Sequence, residues 1–389
     1  MSDFKVQYVT AQMSTAETSK TATLGTSIDT SKSFIMPAVT YNTGGWNQTT
    51  GGSSDAVNSA FATAVLTDST TVTFTRDATN TQNCNCACYV VTYIGAAAGA
   101  NEIIVRSSGT FTIAGTATSA NNGADITTVS DVNDCVAFIT TRYNQGLNHM
   151  YGATCTADIT GSVGAYRVTA NRASAASSTT TVSYFLVEFT GSNWGVQKVS
   201  HTYTASDTNQ DDTITSVGAG LTHSFVYSTF RVTDSSNPAQ CNYLVWLANT
   251  TTLRHRVKQY ASGSVSISYV VTNSQMTVAQ YNTPDGTQDW TGTAPTDVTV
   301  TTVGAEASTI INAGCDDTTS GSSLSSSLWR AYYVNTTTVS GDRSYNKTGT
   351  EYVLQTIDWT NIADAGVSPE TLLLVPRRQL FVTRRIIQH

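Results

Sequence analysis

The chain has 389 residues and a formal net charge of −7, a balance that disfavours general binding to nucleic acid, where phosphates demand an excess of Lys and Arg. Only 12% of residues are charged, against roughly a quarter in ordinary soluble domains, yet 40% are hydrophobic and 18 Tyr, 11 Phe and 6 Trp are present, which excludes a disordered Ser/Thr-rich stalk. No apolar run approaches the roughly 18 residues of a membrane span, and Met1 to Lys5 lack the start of a signal peptide, so the expectation is a soluble protein made in the cytosol.

In chain order, Phe4, Val6 and Tyr8 alternate with Lys5 and Gln7, which predicts a strand. Phe34-Ile35-Met36 follows, then a Gly/Asn/Thr-rich stretch from Tyr41 to Ser54 in which Gly44-Gly45 and Gly51-Gly52 bracket Trp46, read as a loop with an aromatic tip. Phe61 to Leu66, a turn at Asp68-Ser69 and Val72 to Arg76 read as strand, turn, strand. The plan recurs through Val136 to Ile139, Ala165 to Thr169 and Val182 to Phe189, again through Tyr243 to Leu247 and Val265 to Val271, and a fourth time through Leu328 to Val334 and Tyr352 to Trp359.

Two short phrases mark the recurrence. One is Ile214-Thr215-Ser216-Val217-Gly218, with variants at Gly25 to Asp29, Ile126 to Ser130 and Val300 to Gly304. The other is the Val-Gln strand at Val6-Gln7, echoed at Val196-Gln197, Gln280 and Gln355. A period of this length indicates copies of one domain. Taking the first phrase as the entrance to each copy and the Val-Gln strand as the end of the one before gives tandem antiparallel β-sandwich or jelly-roll-like domains over residues 1–113, 114–207, 208–290 and 291–366, spaced as a rod. His201 to Asp212 and Tyr281 to Asp297 then serve as linkers. Residues 367–389 form a short basic, apolar arm whose Arg377, Arg378, Arg384 and Arg385 suit docking into a partner subunit or packing as a last strand.

Seven cysteines, Cys84, Cys86, Cys88, Cys135, Cys155, Cys241 and Cys315, leave at least one without an intrachain partner. In a strand the first three share a face about 6.6 Å apart, so disulfide partners would lie elsewhere or on a neighbouring subunit; the other reading is reduced, half-buried small residues. The five histidines show no metal-ligand spacing, and neither a nucleophile elbow nor a P-loop occurs, so no catalytic, cofactor or metal residue is assigned. Arg254-His255-Arg256 reads as solvated surface or interface. Asp207 to Asp212 carries oxygen side chains as a calcium loop does, but lacks the spaced Gly and distal Glu, and reads as a solvated linker. Arg76, Arg172, Arg256 and Arg343 end comparable strands and are expected to meet carboxylates at domain ends or between subunits. Trp46, Trp194 and Trp290 in Gly/Thr-rich surroundings offer aromatic platforms on which sugars could stack; the other reading is loops packed on their own domains.

The Thr-Thr-Val-Gly openings, the Val65 to Arg76 run and the closing Phe185 to Thr190 strand with Val196-Gln197 resemble the repeated β-domain structural proteins of tailed-bacteriophage virions. That resemblance implies a non-enzymatic tail, collar, fibre or capsid-decoration protein. It would assemble as a homo-oligomer and with other virion proteins, and be reinforced by disulfides, without nucleic acid or membrane insertion. The alternative it implies is a receptor-binding fibre that recognises host-surface glycan.

Overall fold

The computed structural model describes residues 2–47, 57–79, 82–145, 150–206, 208–233, 243–257, 261–282, 296–300, 308–317, 329–343 and 350–363. The first repeat contains β1 (Phe4–Met13), β2 (Ser19–Thr23), β3 (Ser33–Pro37), β4 (Gly45–Asn47), β5 (Thr63–Leu66), β6 (Thr71–Thr75) and β7 (Cys84–Tyr93). The second has β8 (Ile104–Ile113), β9 (Ser119–Asn121), β10 (Cys135–Tyr143), β11 (Thr156–Thr160), β12 (Arg167–Asn171) and β13 (Thr180–Glu188). The third has β14 (Trp194–Thr202), β15 (Gln210–Thr213), β16 (Ser224–Arg231), β17 (Tyr243–Asn249), β18 (Thr252–Val257) and β19 (Val265–Asn273). The fourth has β20 (Thr277–Asn282), β21 (Thr296–Thr299), β22 (Ser308–Asp317), β23 (Trp329–Asn335), β24 (Thr338–Arg343) and β25 (Thr350–Asp358).

One pairing rule generates all four repeats. Setting aside β4, which adds to β7, the sixth strand lies between the first and third, and the fifth lies between the second and fourth, all antiparallel. The fold is all-β, built from antiparallel two-sheet sandwiches.

This rule moves the domain boundaries predicted from the sequence. β8, β14 and β20 open the second, third and fourth sandwiches instead of closing the first three, because each hydrogen-bonds the sixth strand of its own repeat: Val196 faces Val271 and Val278 faces Ile357. Boundaries at 113/114, 207/208 and 290/291 therefore shift back to residues 94–103, 189–193 and 274–276. His201 to Asp212, read as a linker, joins the first two strands of one sandwich.

The Ile214 to Gly218 phrase is likewise no entrance. It crosses from the second strand to the third, carrying the chain between the two sheets of one sandwich. Its apolar residues plug the gap, with Ile214, Val217, Ile126, Val129 and Ile28 all buried. Their amides donate to the turn between the fourth and fifth strands: Ile214 to Thr251 at 2.9 Å, Val217 to Thr250 at 2.8 Å, and Ile28 to Ser69 at 2.9 Å. The Val-Gln strand pins the same phrase from the other side. Gln7 and Thr26 exchange bonds of 3.1 and 2.9 Å, and Gln197 Nε2 donates to the Thr215 carbonyl at 2.9 Å. The two phrases seen in the sequence are halves of one contact.

The sixth strands are buried on both faces, which explains their nearly continuous apolar sequences. Along β13, Val182, Tyr184 and Leu186 fill the space between the two sheets of their own sandwich, whereas Phe185 and Val187 join a larger core shared by all four repeats. That shared core replaces the expected rod with a closed set. The first repeat packs on the second through Phe34 and Phe138, stacked with centroids 4.7 Å apart. The second meets the third where Ile139 N–H donates to the Tyr227 hydroxyl at 2.9 Å and Lys198 pairs with Asp158 at 2.7 Å. The third meets the fourth through the two-way amide contact of Gln355 with Val226 and through the β17–β22 pairing. The fourth returns to the first where Asp3 N–H donates to the Ile362 carbonyl at 2.7 Å and Arg330 covers Trp46. The links of 189–193 and 274–276 are too short to hold sandwiches apart.

Candidate functional site

Arg76 and Arg172 follow β6 and β12 and are buried, 1% and 0% exposed. Alternation places them inward, since Val72 and Phe74, or Val168 and Ala170, share their face. The expected carboxylates are not what they meet. Arg172 donates to the carbonyls of Ala114, Gly115, Ala117 and Ser178 and to Thr180 Oγ1, at 2.6 to 3.1 Å. Arg76 does the same to Ser14, Glu17, Ser59 and Gln82. A planar five-donor fork suits a ring of main-chain acceptors, and it locks the hairpin between the first and second strands. Burial pulls the Arg172 pKa down, with Cys155 and Tyr143 acting the other way. Arg256 is one residue out of this register, where Val257 stands in place of Arg76; the Arg343 side chain lies outside the described residues.

The other predicted site residues scatter. Cys84, Cys86, Cys88, Cys135 and Cys155 are free and buried, so the cross-link reading fails for these five. Cys84 Sγ and Cys86 Sγ are 4.0 Å apart, and burial pushes the Cys155 thiol up to about 12. Trp46 is no exposed platform: it is 2% exposed, inside the core, with the Arg330 guanidinium 4.5 Å above its ring. Trp194 packs edge-on against Phe4 and Phe189. Trp290, Arg377, Arg378, Arg384, Arg385 and Cys241, and the side chain of Cys315, lie outside the described residues.

What the sequence reading missed is a constellation in the third sandwich. His201 at the end of β14, Asp212 in β15 and His255 in β18 present one ligand atom each within 4.8 Å of one another. His201 Nδ1 lies 2.8 Å and His255 Nε2 3.2 Å from the same Asp212 Oδ2. The two imidazoles stack with centroids 4.2 Å apart and planes 6° apart, and Tyr203 abuts His201 edge-on. Ser266 Oγ is 3.2 Å from His255 Nδ1 and orients that ring. Nε2 of each imidazole is buried without an aligned hydrogen bond. Burial holds His255 below the ordinary imidazole range, with Asp212 acting against it, and the His255 imidazole holds Asp212 below the ordinary carboxylate range.

The carboxylates adjacent in sequence separate in function: Asp211 turns outward into a two-pronged pair with Arg254 at 2.7 and 2.8 Å. His255 is fully buried, so the Arg254-His255-Arg256 triplet is not the solvated surface it resembled. The available signal was alternation, because Leu253 and Val257 share the inward face with His255.

No protein-family model, curated protein or solved structure matches the chain.

Proposed function

We propose that the chain is a non-enzymatic structural component of a tailed-bacteriophage particle, in the collar, tail or capsid-decoration class, which assembles with itself and with other virion proteins. The observation that carries this reading is the closure of four like sandwiches around one shared core. Buried polar groups in that centre serve cohesion: the Asn101 side chain, in the link between the first two repeats, bonds Asp3 and Asn273 of the first and third repeats and Asn193 and Gln275 of the other two links, drawing the junctions to one point. β8 turns Ser108, Thr110 and Thr112 to solvent. Surfaces poor in charge lose less on burial against a neighbour, and interface centres are depleted of charged residues for that reason.

Disulfide reinforcement is left out of the proposal, because the five described cysteines are buried. The glycan-binding fibre reading loses Trp46 for the same reason. The test is localisation. Antibody raised against the purified chain should label tailed particles at a fixed position in electron micrographs, and the chain should co-sediment with them through a density gradient. Finding it in the soluble fraction of the lysate and absent from purified particles would sink the proposal.

A further inference from the structure

The third sandwich departs from the first at three neighbouring interior positions. Strand register makes His201 the counterpart of Ala11, since His201 faces Ser266 as Ala11 faces Cys86, each seven residues before the end of the sixth strand. Asp212 faces Leu253 as Ala22 faces Val72, and His255 faces Gln210 as Phe74 faces Lys20. Two alanines and a phenylalanine in one copy are thus two imidazoles and a carboxylate in the other. Burying such groups costs several kcal/mol unless each finds a partner. A fold that manages with Ala, Ala and Phe does not need them for packing.

We propose that His201, Asp212 and His255 bind a divalent cation of the zinc class, which staples the two sheets of the third sandwich together. His201 comes from the sheet of β14, β19 and β16, while Asp212 and His255 come from the facing sheet, so one ion bridges both. Two imidazole nitrogens and one carboxylate oxygen are a ligand set that zinc accepts, with a fourth position left for water. Water has access, because the Asp212 side chain is 32% exposed whereas His255 is 0% exposed. Ligands around a tetrahedral zinc lie about 3.3 Å apart, from bonds of roughly 2.0–2.2 Å. The contacts to Asp212 Oδ2 at 2.8 and 3.2 Å are near that spacing. The parallel stack does not aim both rings at one ion, so binding would turn His201 out of the stack. The Ser266 hydroxyl on His255 Nδ1 is the outer partner that commonly fixes a metal-binding imidazole. His255 Nε2, buried with no aligned hydrogen bond, gains its partner in the ion.

The experiment uses the whole chain, stripped with a chelator and dialysed free of it, then titrated with Zn²⁺ by calorimetry and with Co²⁺ by visible absorption. One equivalent should bind. The Co²⁺ form should show the visible bands of a four-coordinate ion without the near-ultraviolet thiolate charge-transfer band that binding by cysteine would add. Asp212→Ala and His201→Ala, which install the residues of the first sandwich, should each weaken Zn²⁺ binding at least about tenfold while leaving the circular dichroism unchanged. Absence of saturable binding by the wild-type chain would overturn the proposal. So would a thiolate band, or affinity unaltered in both variants. If the variants fail to fold, the wild-type Co²⁺ spectrum alone decides between imidazole and carboxylate ligands and any other site.

Discussion

Gln7 and Thr26 hold each other by two hydrogen bonds, Nε2 to carbonyl at 3.1 Å and amide N–H to Oε1 at 2.9 Å. The pair fastens the first strand of the sandwich to the crossover between its sheets. Each net hydrogen bond is worth about 0.5–1.5 kcal/mol, so Gln7→Ala should lower stability by about 1–2 kcal/mol in denaturant titration. Gln12→Ala, which removes one exposed bond to Asn85, should stay within about 0.5 kcal/mol.

Arg172 is itself fully buried and gathers four carbonyls and a hydroxyl, all of which lose this donor once its side chain is gone. Arg172→Met should therefore cost about 1–3 kcal/mol, read from the denaturation midpoint, as expected when acceptors lose a buried donor. Arg167→Ala, which breaks an exposed pair with Asp125 at 2.7 Å, should cost less than about 1 kcal/mol.

Glu17 accepts from Lys20 Nζ and from the Ser14 amide, and these bonds pull its pKa down to about 2 from an ordinary value of 4.5. A carboxylate depressed in the folded state adds stability that is present above the unfolded value and is lost as pH falls through the folded one. Thermal melts of the wild type and Glu17→Gln should accordingly differ above about pH 5 and converge as pH approaches 2. Parallel curves over that range would contradict the assignment. The Glu17–Lys20 pair is open to solvent, so added salt should shrink the difference.

Trp46 fills the core under Arg330, so Trp46→Ala should cost about 3–5 kcal/mol by loss of a large buried side chain. The same burial logic governs the thiols. In the native chain Cys84, Cys86, Cys88, Cys135 and Cys155 should resist a disulfide reagent such as Ellman's and react only after denaturation. Mass spectrometry of the labelled protein checks this residue by residue.

Alternation made the strands legible, and the recurrence of Val-Gln and Thr-Thr-Val-Gly made the repeats legible. The boundaries were not, because a repeated phrase fixes a period and leaves its phase open. Ile214 to Gly218 recurs once per copy whether it opens a sandwich or crosses its middle. Only the pairing of Val196 with Val271, across more than seventy residues, distinguishes the two. Likewise His201, Asp212 and His255 come from three strands in two sheets, and no local spacing announces their meeting. The inward face of Leu253, His255 and Val257 was readable, as were those of Val72, Phe74 and Arg76; a polar residue in such an apolar alternation is itself the mark of a buried partner.

The bond from Asp3 to the Ile362 carbonyl, with Ser2 Oγ donating to the Trp359 carbonyl at 2.7 Å, makes the four-fold set topologically a circle written on a linear chain. Three joints between neighbours are peptide and the fourth is this seam. Opening the chain at 274–276 and joining residue 363 to residue 2 would relocate the seam while keeping every strand pairing described above. Which sandwich comes first in the chain is then a matter of where the seam falls.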